Sequence, residues 1–179
     1  MATIVFDLDM TVIDSSHRHA SNADGSVDLA HWFANATPER TMQDTFLPLA
    51  RAVRTFYDAG NEIILCTARC MQEADWAFLA RHFETIPHHF VYSREGRFVG
   101  LDSPERADSY HGFIGDSRGD GEIKIEQLTA HINSRGFRNF KEAELIIFED
   151  NLKTLEMFTA RGAIGVNAVA VNAKMKKAA

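Results

Sequence analysis

A Rossmann-like three-layer α/β/α fold with a mainly parallel sheet is predicted for this chain of 179 residues. Three observations predict it. The apolar runs Ile4-Val5-Phe6, Ile63-Ile64-Leu65-Cys66 and Leu145-Ile146-Ile147-Phe148 read as strands buried on both faces. Segments with helical spacing of apolar residues separate them, the βα alternation that builds a parallel sheet. Each run also ends abruptly in acids or hydroxyls, as strands do when their carboxyl ends open on a ligand crevice.

The first run delivers Asp7, Asp9 and Thr11 to such an end. Two Asp side chains at alternate positions of an extended chain point to opposite faces. The turn beyond the strand must therefore swing them together, so that one can attack while the other handles protons. A polar stretch, residues 15–43, follows. Phe46, Leu49, Ala50, Val53, Phe56 and Tyr57 then predict a helix that Gly60 closes. The second strand delivers Thr67, and Trp76, Leu79 and Phe83 mark the next helix. Phe90-Val91-Tyr92 reads as a short third strand. Residues 93–121 are rich in Gly, Ser and Asp, with a hairpin possible around Arg97-Phe98-Val99. Ile125, Leu128 and Ile132 stripe a helix that ends near Gly136. The strand at Leu145–Phe148 ends in Glu149 and Asp150, and a helix with Leu152, Leu155 and Phe158 runs to Gly162. Residues 163–166 read as the last strand.

Composition narrows the class. Hydrophobic residues make up 45%, enough for the core of a single domain. No apolar run approaches the roughly 18 residues of a membrane span, and no secretory leader is expected. Cys66 and Cys70 stand four apart, neither a CxxC motif nor a disulfide framework, so the cytoplasm is the expected compartment. Net charge is −6, and only the Lys174-Met175-Lys176-Lys177 tail is locally basic. That balance excludes a protein coating long nucleic acid and leaves contact with an end or a monomer.

In a parallel sheet the strand ends share one edge. Asp7, Asp9, Thr11, Thr67, Glu149 and Asp150 should therefore meet there, with Lys124 on the helix before the last long strand. Clustered carboxylates repel, and Mg²⁺ suits an all-oxygen site that also holds a substrate phosphate. An Asp carboxylate beside that ion and the Lys124 ammonium can act as a covalent nucleophile toward phosphorus. Taken singly, each residue has a structural reading. Thr67 or Asp150 can cap the following helix, Lys124 can be a solvated helix lysine, and Asp14 is better read as a cap or turn residue.

Phe6-Asp7-Leu8-Asp9-Met10-Thr11 resembles the first motif of the haloacid dehalogenase superfamily of phosphotransferases. Thr67, Lys124 and Glu149-Asp150 match its second, third and fourth motifs in order, over essentially residues 4–166. The resemblance implies Asp7 as nucleophile and Asp9 as general acid and base. It also implies Thr67 and Lys124 as phosphate holders, and Mg²⁺ bound by Asp7, Asp150 and the backbone carbonyl of Asp9. Glu149 is then an outer or alternative ligand. Met10 stands where that family commonly has Gly, a change read here as tightening the turn. Thr11, Ala68 and Arg69 are further candidates for holding substrate.

In that superfamily, insertions at these two places control access to the site. Here residues 15–43 and 93–121 are short, so the mouth should admit a bulky leaving group. His17-Arg18-His19 and His31-Trp32-Phe33 could grip a phosphate and stack on a base. The alternative is that Leu29, Trp32, Phe33 and Ala36 form a helical turn packed on the core. Arg69, two residues past Thr67, resembles a feature of the phosphatase domain of polynucleotide kinase-phosphatases. The compact size resembles small (deoxy)ribonucleotide phosphatases. The expected substrate is a phosphorylated small molecule such as a nucleoside 5′-monophosphate, with a 3′-phosphorylated nucleic-acid end as the alternative. A receiver-type phosphoacceptor module is a third reading, and Asp9 argues against it, because such modules should lack a second Asp at that spacing.

Overall fold

The structure is a computed structural model that describes residues 2–23, 27–94, 96–99, 103–107 and 118–178. Five parallel strands form its centre: β1 (Thr3–Phe6), β4 (Glu62–Cys66), β5 (Phe90–Ser93), β8 (Ile146–Glu149) and β9 (Ile164–Asn167). Two more, β6 (Gly96–Val99) and β7 (Ser103–Ala107), add antiparallel at one edge, giving the order β7-β6-β5-β4-β1-β8-β9. Thus the hairpin expected near Arg97 extends the sheet. Residues 100–102 and 108–117 lie outside the described residues, as does any closing of the 93–121 segment over the site.

Strand alternation builds the two cores. Ile4, Phe6, Ile63 and Leu65 face one layer with Leu49, Val53, Phe78 and Leu79. Val5, Ile64 and Cys66 face the other with Ile125, Leu128, Ile132 and Phe158. The first layer is covered by α3 (Ala50–Asp58), α4 (Glu73–Arg81) and α7 (Ala168–Ala178), and the second by α5 (Asp120–Ser134) and α6 (Leu152–Thr159). Gly60, Gly136 and Gly162 follow α3, α5 and α6 at positive φ, the left-handed conformation that favours glycine after a helix.

One detail differs from the sequence reading. Phe46 is not helical: with Thr45 it forms β3, paired antiparallel with β2 (Ile13–Asp14). Pro48 explains this, since it biases Leu47 toward extended backbone and the helix starts only beyond it. The β2–β3 pair pinches the base of the 15–43 insertion, which carries α1 (Leu29–Asn35) and α2 (Pro38–Thr41). The basic tail lies within α7, its three lysines exposed. Val171 and Met175 pack on the core, and buried Asn172 donates to the Thr11 carbonyl at 2.9 Å and accepts from Leu49 N–H at 2.8 Å.

Chain order places the site. From β1 the chain proceeds to β4 and β5 on one side, then returns to β8 and β9 on the other. The reversal lies between β1 and β8, and ligands bind outside the carboxyl ends of strands at such a switch point.

Candidate active site

A cavity of about 610 Å³ opens at that switch point. Its volume is in the range of small-ligand pockets. Asp7, Asp9, Thr67, Ala68, Arg69, Lys124, Glu149 and Asp150 all line it. Thr11 does not: it is fully buried, its hydroxyl has no hydrogen-bond partner among the described residues, and its carbonyl is held by Asn172.

The first turn explains how both acids reach one side. The Asp7 N–H still donates to the Phe148 carbonyl at 3.0 Å, one residue past the β1–β8 ladder. The carbonyl of buried Leu8 then accepts from Val12 and Ile13 N–H at 3.1 and 2.9 Å, curling the chain. Met10 sits at φ 55 inside that curl, in the left-handed region. Methionine does not tighten the turn by choice of shape; it occupies a conformation that glycine would enter without the clash of a Cβ.

Lys124 is the electrostatic centre. Only 3% exposed, its ammonium donates to Asp7 at 2.7 Å and to Glu149 at 2.8 Å. Burial opposes its charge, yet the two carboxylates hold its pKa well above the ordinary value. One ammonium does not offset the acids around it. Burial pushes Asp7 up to about 7 despite Lys124, with Glu149 and Asp9 adding to the rise. Asp150 is pushed up to about 6, first by burial and then by Asp7. Glu149 is also raised by burial.

Asp7, Glu149 and Asp150 each offer an oxygen, all within 4.8 Å of one another. Oxygen-only donors with uncompensated negative charge are what a hard divalent cation takes. Asp150 is not the helix cap: Asn151 caps α6, accepting from Lys153 and Thr154 N–H at 3.0 and 3.3 Å. Both Glu149 oxygens already accept hydrogen bonds, one from Lys124 and one from Asn151 N–H at 3.2 Å.

Asp9 lives in a different field. Arg69 donates to both its oxygens, through Nε at 2.9 Å, and Ser15 donates at 2.6 Å. Burial alone would raise this carboxyl, but the Arg69 guanidinium and these bonds bring it down to about 2. Arg69 is itself steadied by Asp75 and by its own N–H on Thr67 Oγ1 at 3.2 Å. Two carboxylates at one strand end thus have pKa values pushed in opposite directions, a pattern that separates acid–base roles.

Arg94 escaped the sequence reading. It follows β5 directly, so the strand-end rule that selected Thr67 would also have selected it. Its Nε donates to the Ala68 carbonyl at 2.8 Å and its other end pairs with Asp120 at 2.6 Å, and all three residues line the cavity. Asp14 accepts from Ser16 N–H at 3.1 Å, the turn role expected for it.

Comparison with known proteins gives the lineage. Residues 1–179 match the family model described as bacteriophage T5 5′-deoxynucleotidase. The chain belongs to that family. A 5′-deoxynucleotidase of Escherichia phage T5 is 37% identical over 82 residues, which is 44% of this chain and 34% of that relative. The matched stretch thus spans about a third of the relative's length.

Proposed function

We propose that the protein is a Mg²⁺-dependent nucleotidase of the haloacid dehalogenase type, hydrolysing deoxynucleoside 5′-monophosphates through an aspartyl-phosphate on Asp7. The observation that carries this reading is the meeting of Asp7, Glu149, Asp150 and Lys124 at the switch point of the sheet. Membership of a family described as 5′-deoxynucleotidase supports the substrate class.

Asp7, Asp150 and the Asp9 backbone carbonyl would hold the ion, with Glu149 orienting Lys124 behind them. When bound, Mg²⁺ supplies positive charge that lets an anionic phosphate approach an anionic carboxylate. The Asp7 carboxylate attacks phosphorus as the bond to the 5′ oxygen breaks, and Asp9 gives its proton to that departing oxygen. Asp9 then takes a proton from the water that attacks the phosphoryl group, which frees inorganic phosphate and restores Asp7. Lys124 and the Thr67 hydroxyl hold phosphate oxygens throughout. Without substrate, Arg69 keeps Asp9 ionised. A phosphate that competes for Arg69 removes that hold and lets Asp9 carry the proton it must give. No helix among the described residues is long and apolar enough to cross a membrane, and a cytoplasmic location goes with this reading.

The test is a panel of deoxynucleoside 5′- and 3′-monophosphates beside a 3′-phosphorylated oligonucleotide, with Mg²⁺ or with EDTA. Release from 5′-monophosphates that requires Mg²⁺ and is lost in Asp7→Asn is expected. Release from the oligonucleotide alone would move the assignment to a 3′-phosphatase, and phosphate retained without turnover would move it to a phosphoacceptor.

A further inference from the structure

The 15–43 insertion brings several cationic and aromatic side chains near the site, and the fold sorts them. Arg18 is 1% exposed and turned inward, its guanidinium donating through Nε to Asp44 at 3.0 Å. His17 lies against the Arg40 carbonyl at 3.1 Å. His19 and Trp32 reach the cavity that Asp7 and Asp9 line.

We propose that the Trp32 indole is the platform on which the substrate's nucleobase stacks. This deepens the nucleotidase reading and rests on it. Three structural observations carry it. The indole is held before any ligand arrives: the Arg18 guanidinium stands 4.6 Å from its centroid and the His19 ring meets it edge-on at 4.8 Å. A platform fixed in this way loses little freedom on binding. The Arg69 guanidinium, 5.4 Å from the same centroid, also donates to Asp9. One arginine therefore separates the indole from the acid–base group, so base and phosphate sites share a wall. Finally, Val27 is 44% exposed and lines the same cavity, adding an apolar side chain to its wall. A flat aromatic base covers such a surface, and stacking is tolerant of base identity because every base has a π face. All four deoxynucleotides should therefore be accepted, with the sugar-phosphate end directed at Asp7.

The test compares each deoxynucleoside 5′-monophosphate with 2-deoxyribose 5-phosphate, which has the same ester and no base. In Trp32→Ala the preference for nucleotide over sugar phosphate, as the ratio of kcat/KM values, should fall about 5- to 150-fold, the factor a stacked base carries. Trp32→Phe should keep most of it. Binding is read separately in the Trp76→Phe, Asp7→Asn double variant, where Trp32 is the remaining one of two tryptophans. Its emission should be quenched saturably by deoxyadenosine 5′-monophosphate and not by the sugar phosphate. If wild type hydrolyses nucleotides but Trp32→Ala leaves the ratio unmoved, or lowers both substrates equally, the platform is overturned and the nucleotidase reading stands. If wild type hydrolyses no nucleotide, both fall. Absence of quenching in the double variant also overturns the platform, whether or not Trp32→Ala folds.

Discussion

Replacing Lys124 with Met would remove the ammonium and keep the buried stem. Lys124 is 3% exposed and bonds Asp7 and Glu149, which are 5% and 1% exposed. Breaking a buried ion pair from one side strands the remaining charge and destabilises by about 3–5 kcal/mol. For a chain of this size each kcal/mol moves Tm by about 2–4 °C, so a fall of about 6–20 °C is expected at pH 8 in EDTA. The loss must depend on pH. Without Lys124 both carboxyls rise further above their unfolded values, so the folded state binds more protons than the unfolded one and gains relative stability on acidification. The wild-type/variant gap should therefore narrow toward pH 5.5. Millimolar Mg²⁺ should also narrow it at pH 8 by supplying the missing positive charge. Calorimetry at the two pH values, with and without Mg²⁺, checks this. A loss below about 1 kcal/mol, or one that is equal at both pH values, would refute the view that Lys124 is the buried ionic partner of Asp7 and Glu149.

Three further outcomes are expected. Met10→Gly removes a left-handed strain of about 1–2 kcal/mol and loses about 0.4–1 to added unfolded-state freedom, so thermal unfolding should rise slightly; a lower Tm would contradict the reading of φ 55. Mg²⁺ affinity, titrated calorimetrically, should fall about tenfold or more from pH 8 to 5.5. Asp7 and Asp150, raised to about 7 and about 6, must lose protons to bind it, and a flat profile would exclude them as ligands. Asn172→Ala leaves the buried Leu49 N–H and Thr11 carbonyl unsatisfied, costing about 1–3 kcal/mol in denaturant midpoint analysis; an unchanged midpoint would mean α7 docks by apolar contact alone.

Strand and helix positions were legible because buried parallel strands announce themselves as apolar runs, and their order fixes which ends meet. Asp7, Thr67, Glu149 and Asp150 were readable on that ground alone. Lys124 was placed with them from the helix before the last long strand, but its burial between Asp7 and Glu149 was not legible, since a lysine near a helix start is ordinarily solvated. The Asp9–Arg69 pair was invisible in sequence, as its members lie 60 residues apart and meet through a turn built on Met10. Phe46 misled because its spacing continues the helical stripe, and the Pro48 boundary outweighed it. Docking of α7 was hidden in Asn172, a polar residue whose two contacts lie 123 and 161 residues away.

The claim that everything else serves is that the Asp7 carboxylate takes the phosphoryl group. Mixing enzyme with deoxynucleoside 5′-monophosphate and Mg²⁺, quenching during turnover and reducing with borohydride converts an aspartyl-phosphate to homoserine, which peptide mass spectrometry locates. The account predicts homoserine at position 7. Turnover with Asp7 unmodified, or modification at Asp9 or Asp150 instead, would contradict it.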